Sequence, residues 1–393
     1  MRIDGVRVFD GERMLEAQDV VIRDGVIASV CDATSQPADI DGRGCTLLPG
    51  LFDAHVHVST EPEESLRQLA TLGVTTALDM FSGGRTLERI RALRAAEPAG
   101  LASVRTAGTG ATGPGSMLER MSGQPLPAVE RPEAARAWVD ARLAEGSDYV
   151  KIVYDPREGG PLDQATMTAL VRAAHDRGVL AVAHTLNEQR AREAIAAGVD
   201  GLAHLFIGAS AGSDFGAFAA AHGVFVIPTL AILRGLCGYR LDEELATDPR
   251  LAARVSAARP PAVRPAEPDR HRLYTATTEA LNQLVAEGVP ILAGTDTAVP
   301  TAQFGVYGFG ATLHAELELL VRAGLRPVQA LTAATSAPAK AFQLTDRGGI
   351  RPGLRADLLM VEGDPSSDIR NTRNVIAVYQ SGTRLTSTLG SGA

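Results

Sequence analysis

The stretch Tyr149–Thr185, YVKIVYDPREGGPLDQATMTALVRAAHDRGVLAVAHT, contains one complete unit of the predicted fold. It begins with the apolar run Tyr149–Tyr154 and ends with a similar run, Leu180–Thr185, and both runs are typical of buried strands. Between them, residues 163–177 have the apolar spacing of an amphipathic helix, and Gly178 follows as a helix C-cap residue does. Two buried strands joined by a helix predict a parallel β-α-β unit.

The same alternation continues in both directions along the chain. Eight apolar runs predict strands: Thr46–Val58, Val74–Met80, Ala102–Gly108, Tyr149–Tyr154, Leu180–Thr185, Gly201–Phe206, Val224–Leu230 and Pro290–Asp296. Segments of helical spacing lie between them, at 62–72, 85–96, 132–145, 163–177, 187–197 and 272–287. Eight such alternations predict an α/β protein built on a (β/α)8 TIM barrel.

The two chain ends have a different pattern. Short β-branched runs such as Val26–Val30 and Val375–Tyr379 predict strands without intervening helices. We therefore expect residues 1–48 and 349–393 to pair as one small β-sandwich domain. The catalytic barrel would then span residues 49–348.

Composition narrows the class of protein. The chain has 393 residues, 45% hydrophobic and 21% charged, which is typical of a soluble globular protein. The formal net charge is −8 without a basic run, so we expect no nucleic-acid partner. The sequence shows neither an 18-residue apolar stretch nor a signal-peptide core at its start, so we expect no membrane association. Three scattered cysteines favour a cytoplasmic location. The expected partner is a small-molecule substrate.

Ionisable residues follow apolar residues at the ends of five predicted strands. They are His55, His57, Lys151, His184, His204 and Asp296. Residues two apart on a strand point to one side, so His55 and His57 can share a metal. Burying each group singly would cost several kcal/mol. Because a bound dication would satisfy all of them together, the set predicts a metal centre.

Further motifs accompany this set and carry a family resemblance. They are Leu48–Asp53 before the histidine pair, Leu331–Thr335, Asp346–Gly353 and Ala356–Leu358. Over nearly its whole length the chain resembles the metal-dependent amidohydrolase superfamily, in its imidazolonepropionase-like and prolidase-like branch. Single-metal members lack a lysine on the fourth strand, so the resemblance implies that Lys151 belongs to a binuclear centre.

The chemistry of lysine decides how such a centre could be held. A free lysine amine is protonated near neutral pH and is a poor ligand, whereas a carbamate formed with CO2 offers two oxygens to bridge two cations. The predicted ligands form two sets bridged by N-carboxylated Lys151: His55, His57 and Asp296 for one cation, and His184 and His204 for the other. Nitrogen and oxygen donors suit zinc best, with manganese or another divalent ion as the alternative. The structural alternative for Lys151 is an ion pair at the barrel mouth.

The predicted reaction is hydrolysis of a C–N bond in an amide, a cyclic amide or a dipeptide-like substrate by a metal-activated hydroxide. Asp296 would accept the proton of the water and deliver it to the leaving group. Tyr154 would donate to the developing oxyanion, or simply pack. Three other readings stay open: a lactone or ester hydrolase on the same site, a metal-dependent lyase or isomerase, and a binding module without catalysis.

Candidate substrate contacts lie in the loops. Arg120 and Tyr239, with Arg240, are candidates for recognising a substrate, and His314 is either a substrate contact or structural. Two long loops, Thr109–Arg131 and Ala231–Asp269, are predicted lids on the active-site face. The segment Thr301–Gly310, with Phe304, Tyr307 and Phe309, predicts an apolar pocket wall. The small β domain offers a surface for a homo-oligomer.

Overall fold

The computed structural model describes residues 1–34, 37–58, 61–122, 125–156, 158–239, 241–252, 270–298 and 308–385. Its strands are β1 (Arg2–Phe9), β2 (Met14–Arg23), β3 (Val26–Asp32), β4 (Ile40–Asp41), β5 (Cys45–Pro49), β6 (Leu51–Val56), β7 (Val74–Asp79), β8 (Ser103–Thr106), β9 (Val150–Val153), β10 (Ala181–His184), β11 (Gly201–Leu202), β12 (Phe225–Val226), β13 (Leu358–Glu362), β14 (Val375–Gln380) and β15 (Thr383–Arg384).

The helices are α1 (Pro62–Thr71), α2 (Gly84–Ala96), α3 (Met117–Ser122), α4 (Ala135–Glu145), α5 (Gln164–His175), α6 (Glu188–Ala196), α7 (Phe215–His222), α8 (Leu230–Leu236), α9 (Leu241–Ala246), α10 (Pro249–Ala252), α11 (Arg270–Ala286), α12 (Ala311–Arg322), α13 (Pro327–Ala333) and α14 (Ser336–Ala341). Two 3-10 helices, Pro132–Ala134 and Ile369–Arg373, complete the described elements. Among the described residues, no helix is both long enough and apolar enough to cross a membrane.

Strands from both chain ends form one mixed sheet. Its order is β15-β14-β13-β5-β1-β2-β3, with β4 beside β1. Strand β5 pairs with β13 antiparallel, Leu47 opposite Met360, and both side chains are buried in the core of this sheet. Within the described residues these strands make a single sheet, so the predicted two-layer sandwich is not confirmed.

The central part of the chain forms two parallel sheets, which confirms the α/β class. One contains β6-β7-β8 and the other β12-β11-β10-β9. Single parallel bridges join further segments to them: Ala111 to Ile152, Val226 to Ile291, and Val56 to Thr297. The predicted eighth strand, Pro290–Asp296, is therefore present as bridges rather than as a regular strand, and a closed barrel is not established by regular strands alone.

Helix boundaries follow from local chemistry. At α5, the Asp163 side chain accepts a hydrogen bond from the Thr166 amide at 2.7 Å, which caps the first turn. The chain leaves this helix through Gly178, whose φ of +68° lies in the left-handed region that favours glycine. At α6, Asn187 accepts from the Arg190 amide in the same way, at 2.9 Å. These stop and start signals place the helices close to their predicted ranges.

An inner apolar cluster supports the polar strand ends. It includes Ala54, Leu78, Tyr149, Val182 and Leu292, all almost completely buried. Burying each large aliphatic side chain of this kind contributes about 1.5–3 kcal/mol. Three of these residues precede a histidine or lysine by one or two positions on their strands. The cluster therefore forms the floor beneath the predicted site.

Gly50 is the junction between the mixed sheet and the first parallel strand, and we expect Gly50→Ala to destabilise the fold by about 3 kcal/mol through overpacking. An added Cβ would lie 2.1 Å from Thr75 Oγ1, on a buried neighbouring strand. The shift in the urea unfolding midpoint measures this loss.

Gly208→Ala is the matched control, since its Cβ would make ordinary van der Waals contacts, at 3.4 Å with Ala276 Cβ and at 3.7 Å with the Ser210 carbonyl oxygen. We expect this control to stay within about 0.5 kcal/mol of the unsubstituted protein. Equal stability of the two variants would contradict the packing at Gly50.

Candidate metal centre

Two histidines and an aspartate meet at the carboxyl end of β6. Nε2 of His55 lies 3.3 Å from Nε2 of His57. Oδ1 of Asp296 lies 3.2 Å from Nε2 of His55 and 2.9 Å from Nε2 of His57. One ligand atom from each residue falls within 4.8 Å of the others, a spacing that could hold a metal ion. The structure thus brings together three of the six residues predicted at strand ends.

The backbone around Asp296 is held in an unusual conformation. Its φ is +55°, in the left-handed region, and its amide donates to the His55 carbonyl at 2.7 Å. The preceding Thr295 donates to the buried Asp53 carboxyl group through its amide at 3.0 Å and its hydroxyl at 2.7 Å. Burial raises the pKa of Asp53 to about 7. Asp53 therefore fastens the Asp296 segment to the strand that carries the histidine pair.

His184 and His204 extend the cluster beyond this triad. The His204 ring lies 4.6 Å from the His55 ring and 4.7 Å from the His184 ring, measured between centroids. Nε2 of His204 is 3.9 Å from Oδ2 of Asp296. The four imidazoles and the carboxylate therefore form one continuous cluster across the ends of β6, β10 and the segment after β11.

Hydrogen bonds to the far ring nitrogens orient two of these imidazoles. Nδ1 of His55 lies 2.9 Å from the Ala203 carbonyl oxygen. Because a carbonyl oxygen only accepts, this nitrogen donates, which leaves the lone pair of His55 Nε2 facing Asp296. Nδ1 of His204 lies 2.8 Å from the Thr229 hydroxyl, which can either accept from this nitrogen or donate to it. Such outer contacts are typical of metal-binding histidines.

Burial favours neutral imidazoles at His55 and His204. Burial alone would lower the pKa of His57 too, but its contact with Asp296 raises that pKa above the usual value. Burial, and then the charge of Lys151, lowers the pKa of His55 to about 3. Burial likewise holds the pKa of His204 well below its usual value. Burial alone would raise the pKa of Asp296, but the surrounding histidines hold it well below the usual range. Neutral nitrogens with one carboxylate are a donor set that a divalent cation such as zinc accepts.

Lys151 lies on β9 and is only 3% exposed. Burial lowers the pKa of its amine to about 7, although the charges of Asp296, Glu158 and Asp79 act in the opposite direction. Near neutral pH a substantial fraction of this amine is therefore neutral. The neutral amine is the form that reacts with CO2. This is the property that the predicted carbamate requires.

Glu158 is a member of the site that the sequence analysis missed. Its Oε2 lies 3.1 Å from Nε2 of His184. Burial alone would raise the pKa of Glu158, but the contact with His184 holds it below the usual value. The buried Nε2 atom of His184 has no well-aligned hydrogen bond among the described residues, so it remains suited to a cation. Glu158 lies in a loop five residues after β9, so the pattern of polar residues at strand ends does not include it.

Tyr154 is engaged away from the cluster. Its hydroxyl donates to Glu193 Oε2 at 2.8 Å and accepts from Arg190 at 2.6 Å, both on α6. Burial, together with the Glu193 contact, raises the pKa of Tyr154 to about 12. Its predicted role as an oxyanion donor would require the hydroxyl to leave Glu193.

The predicted substrate contacts lie in separate surroundings. Arg120 is exposed and donates to the Gly115 carbonyl of its own loop. The Tyr239 ring packs against the Arg234 guanidinium, 4.4 Å from the ring centroid. His314 is fully buried, and its ring nitrogens contact the Leu72 carbonyl at 3.0 Å and the Thr372 hydroxyl at 2.9 Å. These contacts favour the structural reading of His314.

The described parts of the two predicted lids contain helices. Thr109–Arg131 contains α3, and Ala231–Asp269 contains α9, α10 and most of α8. Arg240, residues 253–269 and most of the predicted pocket wall, including Phe304 and Tyr307, lie outside the described residues. Phe309 is described and is buried.

Comparison with known proteins identifies the family. The sequence profile of the amidohydrolase family matches residues 46–385. An adenine deaminase from Halalkalibacterium halodurans is 26% identical over 372 residues, covering 88% of this chain and 51% of the deaminase. A protein of Mycobacterium tuberculosis without an assigned function is 28% identical over 345 residues, covering 84% of this chain and 82% of that protein. The chain thus spans about half the length of the adenine deaminase that it matches.

Solved structures show the same fold. A crystal structure of a Xaa-Pro dipeptidase with methionine bound in its active site has a TM-score of 0.78 at 22% identity, covering 98% of this chain and 99% of the dipeptidase. The A. niger ochratoxinase has a TM-score of 0.75 at 19% identity, covering 98% and 94% of the two chains. The resemblance predicted from the motifs is confirmed by the family match. The chain belongs to the amidohydrolase family.

Proposed function

We propose that this chain is a metal-dependent hydrolase that cleaves a C–N bond in an amide, a cyclic amide or a dipeptide-like substrate. The observation that carries the proposal is the convergence of His55, His57 and Asp296 within 4.8 Å, with His204 beside them. The Asp296 side chain is only 19% exposed, and a carboxylate so enclosed among imidazoles is costly without a cation and useful with one. Membership of the amidohydrolase family supports the same reaction class.

Two divalent cations would be held, in our proposal, by two sets of residues bridged by N-carboxylated Lys151. His55, His57 and Asp296 form the first set, and His184 and His204 form the second. Zinc is the preferred ion because the donors are nitrogen and oxygen, and manganese is the alternative. When bound, such cations lower the pKa of water and polarise a carbonyl group.

Three side chains would take the roles that the cations do not: proton transfer, added negative charge and hydrogen bonding to the oxyanion. Asp296 faces His55 and His57 and is the group placed to take a proton from the attacking water and deliver it to the leaving nitrogen. Glu158, charged and adjacent to His184, adds negative charge on the Lys151 side of the cluster. Tyr154 remains the proposed oxyanion donor only if its hydroxyl leaves Glu193.

We also infer that the parallel sheets close into one (β/α)8 barrel spanning residues 49–348. The three parallel bridges support this inference, because they join the sheet edges in the order that closure needs. The chain ends, 1–48 and 349–393, would form the small second domain. Arg120 and Tyr239 stay candidate substrate contacts from the loops.

Incorporation of solvent oxygen tests the reaction class. We expect one 18O atom in the product when the zinc-loaded enzyme acts in 18O-labelled water on a panel of Xaa-Pro dipeptides, N-acyl amino acids, cyclic amides and adenine. Mass spectrometry of the products measures the label. Turnover without label would contradict hydrolysis and favour a lyase or isomerase, whereas turnover of lactones in a parallel panel, with none of the amides, would favour the ester reading.

The Lys151 carbamate can be followed as the signal that Lys151→Ala removes, because the chain has only two lysines, Lys151 and the exposed Lys340, besides the α-amine of Met1. We expect a 13C carbamate signal from protein incubated with 13C-bicarbonate and zinc, and its loss in Lys151→Ala. Lys340→Arg is the matched control and should keep the signal. In metal-free protein at constant dissolved CO2, the signal should grow from about pH 6 to about pH 8, because the amine becomes neutral as the pH passes its lowered pKa.

Metal analysis of the same variants completes this test. Elemental mass spectrometry should find close to two zinc ions per chain in the unsubstituted protein and fewer in Lys151→Ala. One ion in both proteins would place Lys151 outside the ligand set.

Asp296→Asn removes the proposed proton carrier, and we expect kcat to fall by about 10²–10⁴-fold after reconstitution with zinc. Steady-state kinetics on the best substrate from the 18O panel measure the change. Asp214→Asn is the control, since that carboxylate is 75% exposed and pairs with Arg192 on the surface. A kcat for Asp296→Asn close to that of the control would overturn the assignment.

A further inference from the structure

The start of α8 is capped from another helix. The first amides of a helix have no partner within it, and a threonine at the N-cap position ordinarily supplies one from its hydroxyl. Thr229 occupies that position, yet its side chain makes no capping hydrogen bond. The first two amides, of Leu230 and Ala231, are therefore satisfied by something else.

Glu316 on α12 supplies both acceptors. Its Oε1 accepts from the Leu230 amide at 2.8 Å, and its Oε2 accepts from the Ala231 amide at 2.7 Å. The residue is fully buried, and burial raises its pKa to about 8. A carboxylate at a helix N-terminus is favoured by the helix dipole. Even so, a buried carboxylate is a costly substitute for a hydroxyl that is already in place.

The Thr229 hydroxyl is used elsewhere. It lies 2.8 Å from Nδ1 of His204. Thr229 has φ +48° and ψ +51°, a left-handed conformation that a β-branched residue rarely adopts. Strain of this kind persists only where neighbouring contacts hold it in place, and it clusters at functional sites. The two hydrogen bonds that Glu316 accepts fix the residues immediately after Thr229 and so hold this conformation.

We propose that Glu316 is a positioning residue for His204: by capping α8 in place of Thr229, it frees the Thr229 hydroxyl to accept the Nδ1 proton of His204. A neutral imidazole has one N–H, so this contact leaves the lone pair of Nε2 toward Asp296, as a metal ligand requires. The inference rests on the proposed function for the role of His204. It identifies a contact that the metal-binding motifs do not include.

The test begins with the metal-free protein, so that it does not depend on activity. Imidazole 15N NMR reports which ring nitrogen of His204 carries the proton. We expect Nδ1–H in the unsubstituted protein and in Thr229→Ser, and a shift toward Nε2–H in Thr229→Val. In Glu316→Gln the proton should shift the same way. The glutamine side chain has a single acceptor oxygen, whereas the backbone N–H groups of Leu230 and Ala231 each need an acceptor. Glu318→Gln, two residues along α12 and paired with Arg322 and Arg373 rather than with α8, is the matched control and should leave the tautomer unchanged.

Zinc affinity gives a second readout. Titration against a chelator should show that Glu316→Gln and Thr229→Val weaken binding of one zinc ion by about 10–100-fold, the usual effect of losing an outer partner of a ligating histidine. Thr229→Ser and Glu318→Gln should bind as the unsubstituted protein does.

The outcomes separate this inference from the proposed function. If Glu316→Gln folds and keeps both the Nδ1–H tautomer and the zinc affinity, the positioning role is overturned. If Glu316→Gln does not fold, Thr229→Val decides, and retention of Nδ1–H in that variant overturns the inference. If the unsubstituted protein binds no zinc, the proposed function fails, while the tautomer comparison still decides whether Glu316 and Thr229 set the His204 ring.

Discussion

The site depends on the contacts between the ionised carboxylate of Asp296 and the imidazoles around it. The Asp296 side chain is 19% exposed, and a charge taken so largely out of water costs several kcal/mol unless charged or polar partners surround it. Those partners come from widely separated segments, since His55 and His57 lie at the end of β6 and His204 lies beyond β11. The segment that carries Asp296 is in turn fastened to β6 through Thr295 and Asp53. Because these residues come from different parallel strands, the carboxylate can contact all of them only when the carboxyl ends of those strands lie side by side.

Much of this arrangement could be predicted from the sequence, because parallel strands bring their carboxyl ends to the same edge. A polar residue following an apolar run is visible locally, and so His184 and Lys151 could be found one strand at a time. Helix boundaries could also be predicted, since capping residues such as Asp163 act within four residues. The arrangement of the chain-end strands could not be predicted, because hydrophobic alternation does not indicate whether strands form one sheet or two.

What the sequence did not reveal depends on contacts between distant segments. Glu158 lies in a loop whose course determines whether its carboxylate reaches His184. The pairing of Glu316 with the start of α8 joins residues separated by several helices and has no local pattern. Tyr154 shows the opposite case: its place after a strand suggested the active site, but Arg190 and Glu193 on the next helix compete for its hydroxyl.

The mixed sheet of the chain ends has a consequence for biosynthesis. Strand β5 leads directly into the first parallel strand, yet its partner β13 pairs Met360 with Leu47, more than 300 residues later in the chain. At about 5–20 residues per second, a ribosome needs roughly 15 s to 1 min to deliver that partner. Until then the apolar edge of β5 is unpaired, and such an edge invites pairing with other chains. The β1–β2–β3 meander lies on the other side of β5 and does not cover this edge, so the nascent polypeptide passes through a period in which the edge has no partner strand.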